Sequence, residues 1–244
     1  MTSVNTQEIS HFQKDSAHWW DESGPFAPLH KMNPTRLQFI RDEIISHYEK
    51  PSDTLKAAQN LKILDVGCGG GILCEPLARM GAHVTGIDAD SQAIKVARNH
   101  ATEYGLDITY LNEPVESLNP KTHHYDVITA LEIIEHVDSP DIFVKNCLNL
   151  LKPNGLFFLS TLNRTPQSFL IGKVAAEYIV RAVPMGTHTW AKFLKPHEIT
   201  HFLDENNASL KSITGIKYNL LEESFKLNYK DLNINYILSA IKKG

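Results

Sequence analysis

Ile63-Leu-Asp-Val-Gly-Cys-Gly-Gly-Gly71 is an apolar strand running straight into a glycine turn, and a second strand follows it and ends on an acid, Asp88. The bare glycines Gly67, Gly69 and Gly71 let the backbone turn sharply and approach a ligand more closely than a side chain permits. An acid about twenty residues downstream can accept both hydroxyls of a ribose. The pair predicts a nucleoside-bearing cofactor, and the spacing narrows which one. A dinucleotide fingerprint needs G-x-G-x-x-G, but the sixth position counted from Gly67 is Ile72. The pattern present is D-x-G-x-G-x-G, starting at Asp65. A degenerate nucleotide fold and a plain glycine-rich turn are the competing readings.

Outward from this stretch, strands and helices alternate. Strands are readable at 62–66, 83–88, 107–112, 125–131 and 155–161, with helices near Leu73, Ala93 and Phe143. Such repetition builds a parallel, doubly wound sheet. Pro76 falls inside the first of these helices, where it removes a backbone hydrogen bond, so that helix should kink or start late. Asp138-Ser139-Pro140 supplies a cap and a first-turn proline for the helix near Phe143, and Lys152-Pro153-Asn154-Gly155 turns the chain into the next strand. Two further runs, 210–218 and 235–241, are joined by a polar stretch rather than a helix, which permits an antiparallel pair. The expected fold is therefore α/β, a doubly wound seven-stranded mostly parallel sheet of Rossmann-like type, in one domain over 1–244. A helical arm over 1–50 precedes the sheet, and an insertion over 165–196 follows the fifth strand.

The 244 residues, 42% hydrophobic, suffice for one substantial core, and no linker or repeat divides them. The net charge of −4, with Lys and Arg scattered singly, gives no footprint for nucleic acid. Three cysteines, with Cys68 inside the glycine turn, fit a reducing compartment. The first residues lack both a signal-peptide core and transit-peptide arginines, so a bacterial cytoplasm is expected. In the arm, Asn5 and Glu8 have capping-box spacing, and Ile9, Phe12, Trp19 and Trp20 follow at helical intervals before Gly24-Pro25. It reads equally as a helix packed on the core or a lid over a ligand. After Asn33-Pro34 a second helix carries Leu37, Phe39, Ile40, Ile44 and Ile45.

The glycine pattern resembles motif I of the class I S-adenosylmethionine (SAM) methyltransferases, in which no phosphate has to be neutralised. Ligands of doubly wound sheets lie beyond the carboxyl ends of the strands, where strand order reverses. Gly67, Asp88 and Leu131 should converge there. On this resemblance Asp65 and the amides around Gly67 and Gly69 orient the methionine end, Asp88 takes the ribose diol, and Ala89 and Val115 flank the adenine. The competing role for Asp88 is a cap for the helix after Ser91.

Past the fourth strand stands Glu132-Ile133-Ile134-Glu135-His136. Spacing of i, i+3 and i+4 places Glu132, Glu135 and His136 on one face of a helical turn. Two oxygens and one nitrogen suit a divalent ion such as Mg²⁺, Mn²⁺ or Zn²⁺, which can chelate a catechol. The alternative makes Glu132 and Glu135 solvated loop acids and His136 a base or a core histidine.

Leu131 to Val137, together with Pro28-Leu29-His30, Asn33-Pro34-Thr35-Arg36-Leu37, Ser160-Thr161-Leu162-Asn163-Arg164, Pro184-Met185-Gly186-Thr187-His188 and Lys195-Pro196, closely resembles the ubiquinone-biosynthesis O-methyltransferases. Agreement runs from about His11 to the end. The resemblance implies O-methylation of 2-polyprenyl-6-hydroxyphenol and of 3-demethylubiquinol. It also implies SAM contacts from Arg36, Gly67, Asp88 and Leu131, and a divalent ion (Mg or Zn) at Glu132, Glu135 and His136. Family members often carry Met at the position of Leu131; either side chain can pack on the cofactor. If no metal binds, His136 is the direct general base, with His188 a second candidate.

Between Pro166 and Pro196, Phe169, Leu170, Ile171, Val174, Ala175, Tyr178, Ile179, Ala182 and Val183 are apolar, and Lys173, Glu177 and Arg181 recur every fourth residue. On a helix this leaves a wide apolar face and one charged stripe, too short and too charged to span a bilayer. It reads either as burial against the core or as partial insertion at a membrane surface. A polyprenylated phenol or quinol substrate favours the second, with the chain peripheral on the cytoplasmic face of the inner membrane, near other ubiquinone-biosynthesis proteins. The rival functions are a SAM methyltransferase for another small acceptor and a SAM-binding scaffold without turnover.

Overall fold

A computed structural model describes residues 3, 5, 8–9, 13–174 and 190–244, with the backbone alone at 171–174. Its centre is one sheet of eight strands: β1 (Lys62–Val66), β2 (His83–Ile87), β3 (Ile108–Leu111), β4 (Tyr125–Leu131), β5 (Leu151–Leu162), β6 (Ala208–Asn219), β7 (Ser224–Asn228) and β8 (Asn235–Lys242). They lie in the order β3-β2-β1-β4-β5-β8-β6-β7. Neighbours among β1 to β5 run parallel, whereas β8 is antiparallel to both β5 and β6. Strand order reverses between β1 and β4, so the glycine turn that leaves β1 opens at the switch point.

The central strands are apolar along their whole length because successive residues bury on opposite faces. Leu64, Ile128 and Phe157 pack on one side with Phe143, Val144 and Cys147 of α4 (Pro140–Leu150) and with Ile199 and Leu203 of α6 (Pro196–Glu205). Their chain neighbours Ile63, Val127 and Phe158 pack on the other. There they meet Phe39, Ile40 and Ile44 of α1 (Ala27–His47), Leu77 of α2 (Cys74–Arg79) and Ile94 and Ala97 of α3 (Ser91–Glu103).

Several boundaries depart from expectation. The helix expected after Pro34 begins at Ala27 and runs through that proline. Pro28 suits its first turn, and Asn33 Nδ2 ties the helix to the Ile72 carbonyl at 2.9 Å, so one missing amide is tolerated. α2 does start late, with Pro76 in its first turn, where an amide has no helical partner. Ser139 precedes α4 without a side-chain capping bond. The seventh expected strand is the eighth, because β7 forms within the stretch read as polar. Its Ser-Phe-Lys-Leu-Asn alternates too briefly to stand out, but it pairs with 215–219 of β6. Phe225 packs 5.0 Å from Tyr218, and its carbonyl accepts from Thr35 Oγ1 at 2.7 Å.

In the insertion, α5 (Pro166–Val174) carries Phe169 and Leu170, which are 52% and 61% exposed. The expectations for Ala175, Glu177, Tyr178, Ile179, Arg181, Ala182, Val183 and His188 lie outside the described residues, as does that for Phe12. No helix among the described residues is long and apolar enough to cross a membrane.

Candidate functional site

Leaving β1, the chain turns at Gly67, Gly69 and Gly71 with φ of 72°, 53° and 87°, a region that costs any residue with a Cβ. Gly67 N–H and Cys68 N–H both donate to the Ile87 carbonyl, holding the turn against the end of β2. Gly69 N–H donates to Asp88 Oδ2 at 2.8 Å and Asp90 N–H to Asp88 Oδ1 at 2.8 Å. One amide on each oxygen leaves lone pairs for two ribose hydroxyls. Asp90, not Asp88, caps α3, accepting from Gln92 N–H at 2.8 Å. The capping role considered for Asp88 therefore falls to its neighbour. Burial pushes the Asp88 carboxyl up to about 6, against the pull of the two amides.

A cleft opens above the turn. Val66, Gly67, Asp88, Ala89 and Val115 line one side, and Glu132, Ile133 and His136 the other. The arm closes it with Asn5, Glu8, Ile9 and Trp19. Trp20 donates its indole N–H to the Gly70 carbonyl at 2.9 Å and stacks on His100 at 3.5 Å. Ser16 Oγ donates to Asp90 Oδ2 at 2.5 Å. The arm both packs on the glycine turn and α3 and lines the cleft.

Other candidates stand back from the cleft. Asp65, expected to orient the methionine end, is buried beneath the turn, its oxygens accepting from Thr129 Oγ1 at 2.7 Å and Cys74 Sγ at 3.2 Å. Burial pushes its carboxyl up to about 6. Leu131 packs at the end of β4 against the α1 side of the sheet and does not line the cleft. Arg36 is buried on α1 with Nη2 3.0 Å from Glu132 Oε1, yet Nε and Nη2 have no acceptor in hydrogen-bonding geometry among the described residues. A buried donor left unpaired costs roughly 1–3 kcal/mol.

The segment 132–136 corrects the helical face expected for Glu132, Glu135 and His136. Glu132 has φ of 54°, outside the helical region, and the 3-10 turn begins only at Ile134. The i, i+3, i+4 face therefore does not form. Glu132 Oε1 accepts from Ser160 Oγ at 2.6 Å, Glu135 Oε2 accepts from Thr161 Oγ1 at 2.9 Å, and His136 Nδ1 lies 3.2 Å from Glu8 Oε2. Each side chain has one such partner, and the second Glu135 oxygen, Oε1, is buried without a hydrogen bond among the described residues. Among the described residues no group of three His, Cys, Asp or Glu is placed to hold a metal ion. The residue types suit one, but their positions do not. Burial, then the charge of Glu132, pushes the Glu135 carboxyl above its ordinary value. Burial holds His136 below the usual imidazole range, against the opposing pull of Glu8, so the ring is neutral at pH 7 and able to take a proton.

Sequence reasoning missed the carboxylate role of Glu8. Asn5 Oδ1 does accept from Glu8 N–H at 3.1 Å, one half of a capping box, but the acid turns to His136 and to Lys192 Nζ at 2.9 Å. Burial raises the Glu8 pKa; the hydrogen bonds from Lys192 and His136 outweigh it and leave the group below its ordinary value.

Residues 64–159 match a family model described as a methyltransferase domain. The chain is 44% identical to a protein of Pelagibacter ubique over 99% of this chain and 100% of that one, and 45% identical to one of Bartonella bacilliformis over 97% and 95%. Both are named ubiquinone biosynthesis O-methyltransferase. Among solved structures, the plantazolicin methyltransferase BpumL in complex with S-adenosylhomocysteine and a substrate analogue superposes with a TM-score of 0.67 at 14% identity, covering 98% of each chain. Magnesium protoporphyrin IX methyltransferase from Synechocystis with bound S-adenosylhomocysteine gives 0.56 at 21%, covering 84% of this chain and 83% of that one. At these identities the likeness concerns the fold.

Proposed function

The chain belongs to the ubiquinone biosynthesis O-methyltransferases, and on that premise we propose that its cleft holds SAM beneath the arm while a polyprenylated phenol or quinol presents a hydroxyl at Glu132 to His136. It is a SAM-dependent O-methyltransferase of ubiquinone biosynthesis. The acceptors proposed are 2-polyprenyl-6-hydroxyphenol and 3-demethylubiquinol. The observation that supports the cofactor assignment is Arg36, a buried guanidinium whose Nη2 is ion-paired with the cleft residue Glu132 and whose Nε has no acceptor among the described residues.

When bound, SAM supplies a methyl group on a sulfonium that is transferred in line to a nucleophilic oxygen. The chain does the rest by placement. Asp88 takes the ribose hydroxyls, Arg36 the amino-acid carboxylate, and the glycine turn permits close approach. Asp65 acts from beneath, fixing the turn through Cys74 and β4 through Thr129. Leu131, at the end of β4, packs against the α1 side of the sheet. The arm excludes water, and holding the oxygen near ~3 Å from the methyl carbon removes much of the entropic barrier. His136 takes the phenol proton as the oxygen attacks. His188 stays the second candidate for that role.

Methyl transfer from labelled SAM to a short-chain demethylubiquinol tests this reading, and a chelator arm tests the implied ion. To bind Mg²⁺ or Zn²⁺, Glu132, Glu135 and His136 have to exchange Ser160, Thr161 and Glu8 for the metal. Turnover that survives chelation supports His136 as the base; turnover lost and restored by added ion supports the exchange.

We infer further that the insertion rests on the surface of the inner membrane to collect a lipid-tailed substrate. The exposure of Phe169 and Leu170 supports this. Burying each in lipid contributes roughly 1.5–3 kcal/mol. Phe169→Ser with Leu170→Ser should therefore lower pelleting with anionic phospholipid vesicles by at least about tenfold and leave the melting temperature unchanged. Retained pelleting with a sharply lowered melting temperature would return the segment to the core.

A further inference from the structure

We propose that Glu8, carried on the amino-terminal arm, is a positioning residue for His136: it sets the tautomer and plane of the imidazole, so that the ring becomes a competent base only when the arm lies over the cleft. This rests on the reading of His136 as the proton acceptor. Glu8 Oε2 lies 3.2 Å from His136 Nδ1, and the other oxygen lies 2.9 Å from Lys192 Nζ. A carboxylate accepts hydrogen bonds and has none to give, so the nitrogen that faces it carries the hydrogen, and the basic lone pair of the neutral ring is on Nε2. Lys192 holds the second oxygen, which stops the carboxylate from rotating away.

The backbone around Glu8 is registered against the loop that carries His136. Asn5 Oδ1 accepts from Glu8 N–H, and Asn5 Nδ2 donates to Asp138 Oδ1 at 2.7 Å. Asp138 N–H in turn donates to the Ser3 carbonyl at 2.8 Å, while Ser3 N–H donates to Glu116 Oε1 at 2.8 Å across the mouth of the cleft. Three parts of the chain far apart in sequence therefore meet at one carboxylate: the arm through Glu8, the segment after β4 through His136, and the end of the insertion through Lys192 in the 3-10 turn Trp190–Lys192. Closing the arm over bound cofactor and aligning the base become one event, and the base is assembled where the acceptor hydroxyl arrives.

The test uses the full chain, a short-chain demethylubiquinol and saturating SAM. Kinetics are read for Glu8→Gln, Lys192→Met and His136→Ala, singly and with His136→Ala in combination, beside calorimetric SAM affinity and melting temperature. His136→Ala should lower kcat by about 10²–10⁴-fold. Glu8→Gln should lower kcat by roughly tenfold or more while KM and SAM affinity stay within about twofold. Lys192→Met should lower kcat by a smaller factor, and neither change should slow His136→Ala further, because the effect passes through the ring. A wild-type kcat in Glu8→Gln, or a weakened SAM affinity with kcat intact, would overturn the positioning role and leave Glu8 an anchor of the arm. So would a full additional loss in the double variant. Undiminished kcat in His136→Ala defeats the base assignment and the proposal with it, whereas slow His136→Ala beside wild-type Glu8→Gln defeats the proposal alone.

Discussion

Asp88→Asn should bind SAM about 100-fold more weakly than the parent chain, as read by calorimetry, because hydrogen bonds to a charged group contribute roughly 1.5–3 kcal/mol each and two ribose hydroxyls lose such an acceptor. The amide is nearly isosteric, but its NH₂ has to face either Gly69 N–H or Asp90 N–H, where the carboxylate accepts from both. The Asp88 carbonyl keeps its bond from Asn112 Nδ2 at 2.9 Å, so the end of β2 stays in place and the loss reads on affinity rather than on folding. The pH dependence has a definite sign. With the Asp88 carboxyl pushed up to about 6 by burial, acidification below that value protonates it and removes the charged acceptor. Affinity should fall as pH drops through about 6 in the parent chain, and this part of the fall should vanish in Asp88→Asn. Unchanged affinity in the variant would end the ribose assignment.

Gly69→Val should abolish measurable SAM binding and release the arm. A Cβ built on Gly69 falls 2.4 Å from Trp19 Cη2 and 2.5 Å from Cζ2, and the residue sits at φ +53°. A β-branched side chain in that region carries about 1–3 kcal/mol of backbone strain before any clash. Trp19 is itself stacked on Phe26 at 3.8 Å, so the ring has little room to retreat without lifting the arm. Gly105→Ala separates strain from collision: it has φ of +64° but nothing within 4 Å of its Cβ position. That variant should lose about 1–2 kcal/mol of stability and bind SAM normally. Limited proteolysis of the arm and calorimetry read both outcomes; a Gly69→Val protein with normal affinity would remove the arm from the cofactor site.

The strands that frame the cleft are legible in the sequence because their determinants are local. The positions of β1, β4 and β5 follow from apolar runs whose odd and even residues bury on opposite faces, as Ile63 and Leu64 or Phe157 and Phe158 do. Asp88 follows from its place at the end of β2. The shared face read for Glu132, Glu135 and His136 does not form, because spacing alone assumes a helical turn, whereas Glu132 takes φ of 54° and its carboxylate turns to Ser160 and Arg36. α1 begins earlier than expected because a tertiary tie at Asn33 tolerates Pro34 inside the helix, and β7 escaped notice because five alternating residues at a sheet edge resemble a polar loop. Contacts across long stretches of chain left no local signal at all. Glu8 meets His136 across 128 positions and Lys192 across 184, and Trp20 meets Gly70 across 50. The capping-box spacing even pointed the Glu8 carboxylate elsewhere.

The reaction proposed for this cleft is transfer of a methyl group to a phenolic oxygen. Incubating the full chain with SAM labelled at its methyl carbon and a short-chain demethylubiquinol, then locating the label by NMR, tests it most directly. One labelled methyl on oxygen is expected for each S-adenosylhomocysteine formed; label on carbon or nitrogen, or S-adenosylhomocysteine without methylated quinol, would rule the reaction out.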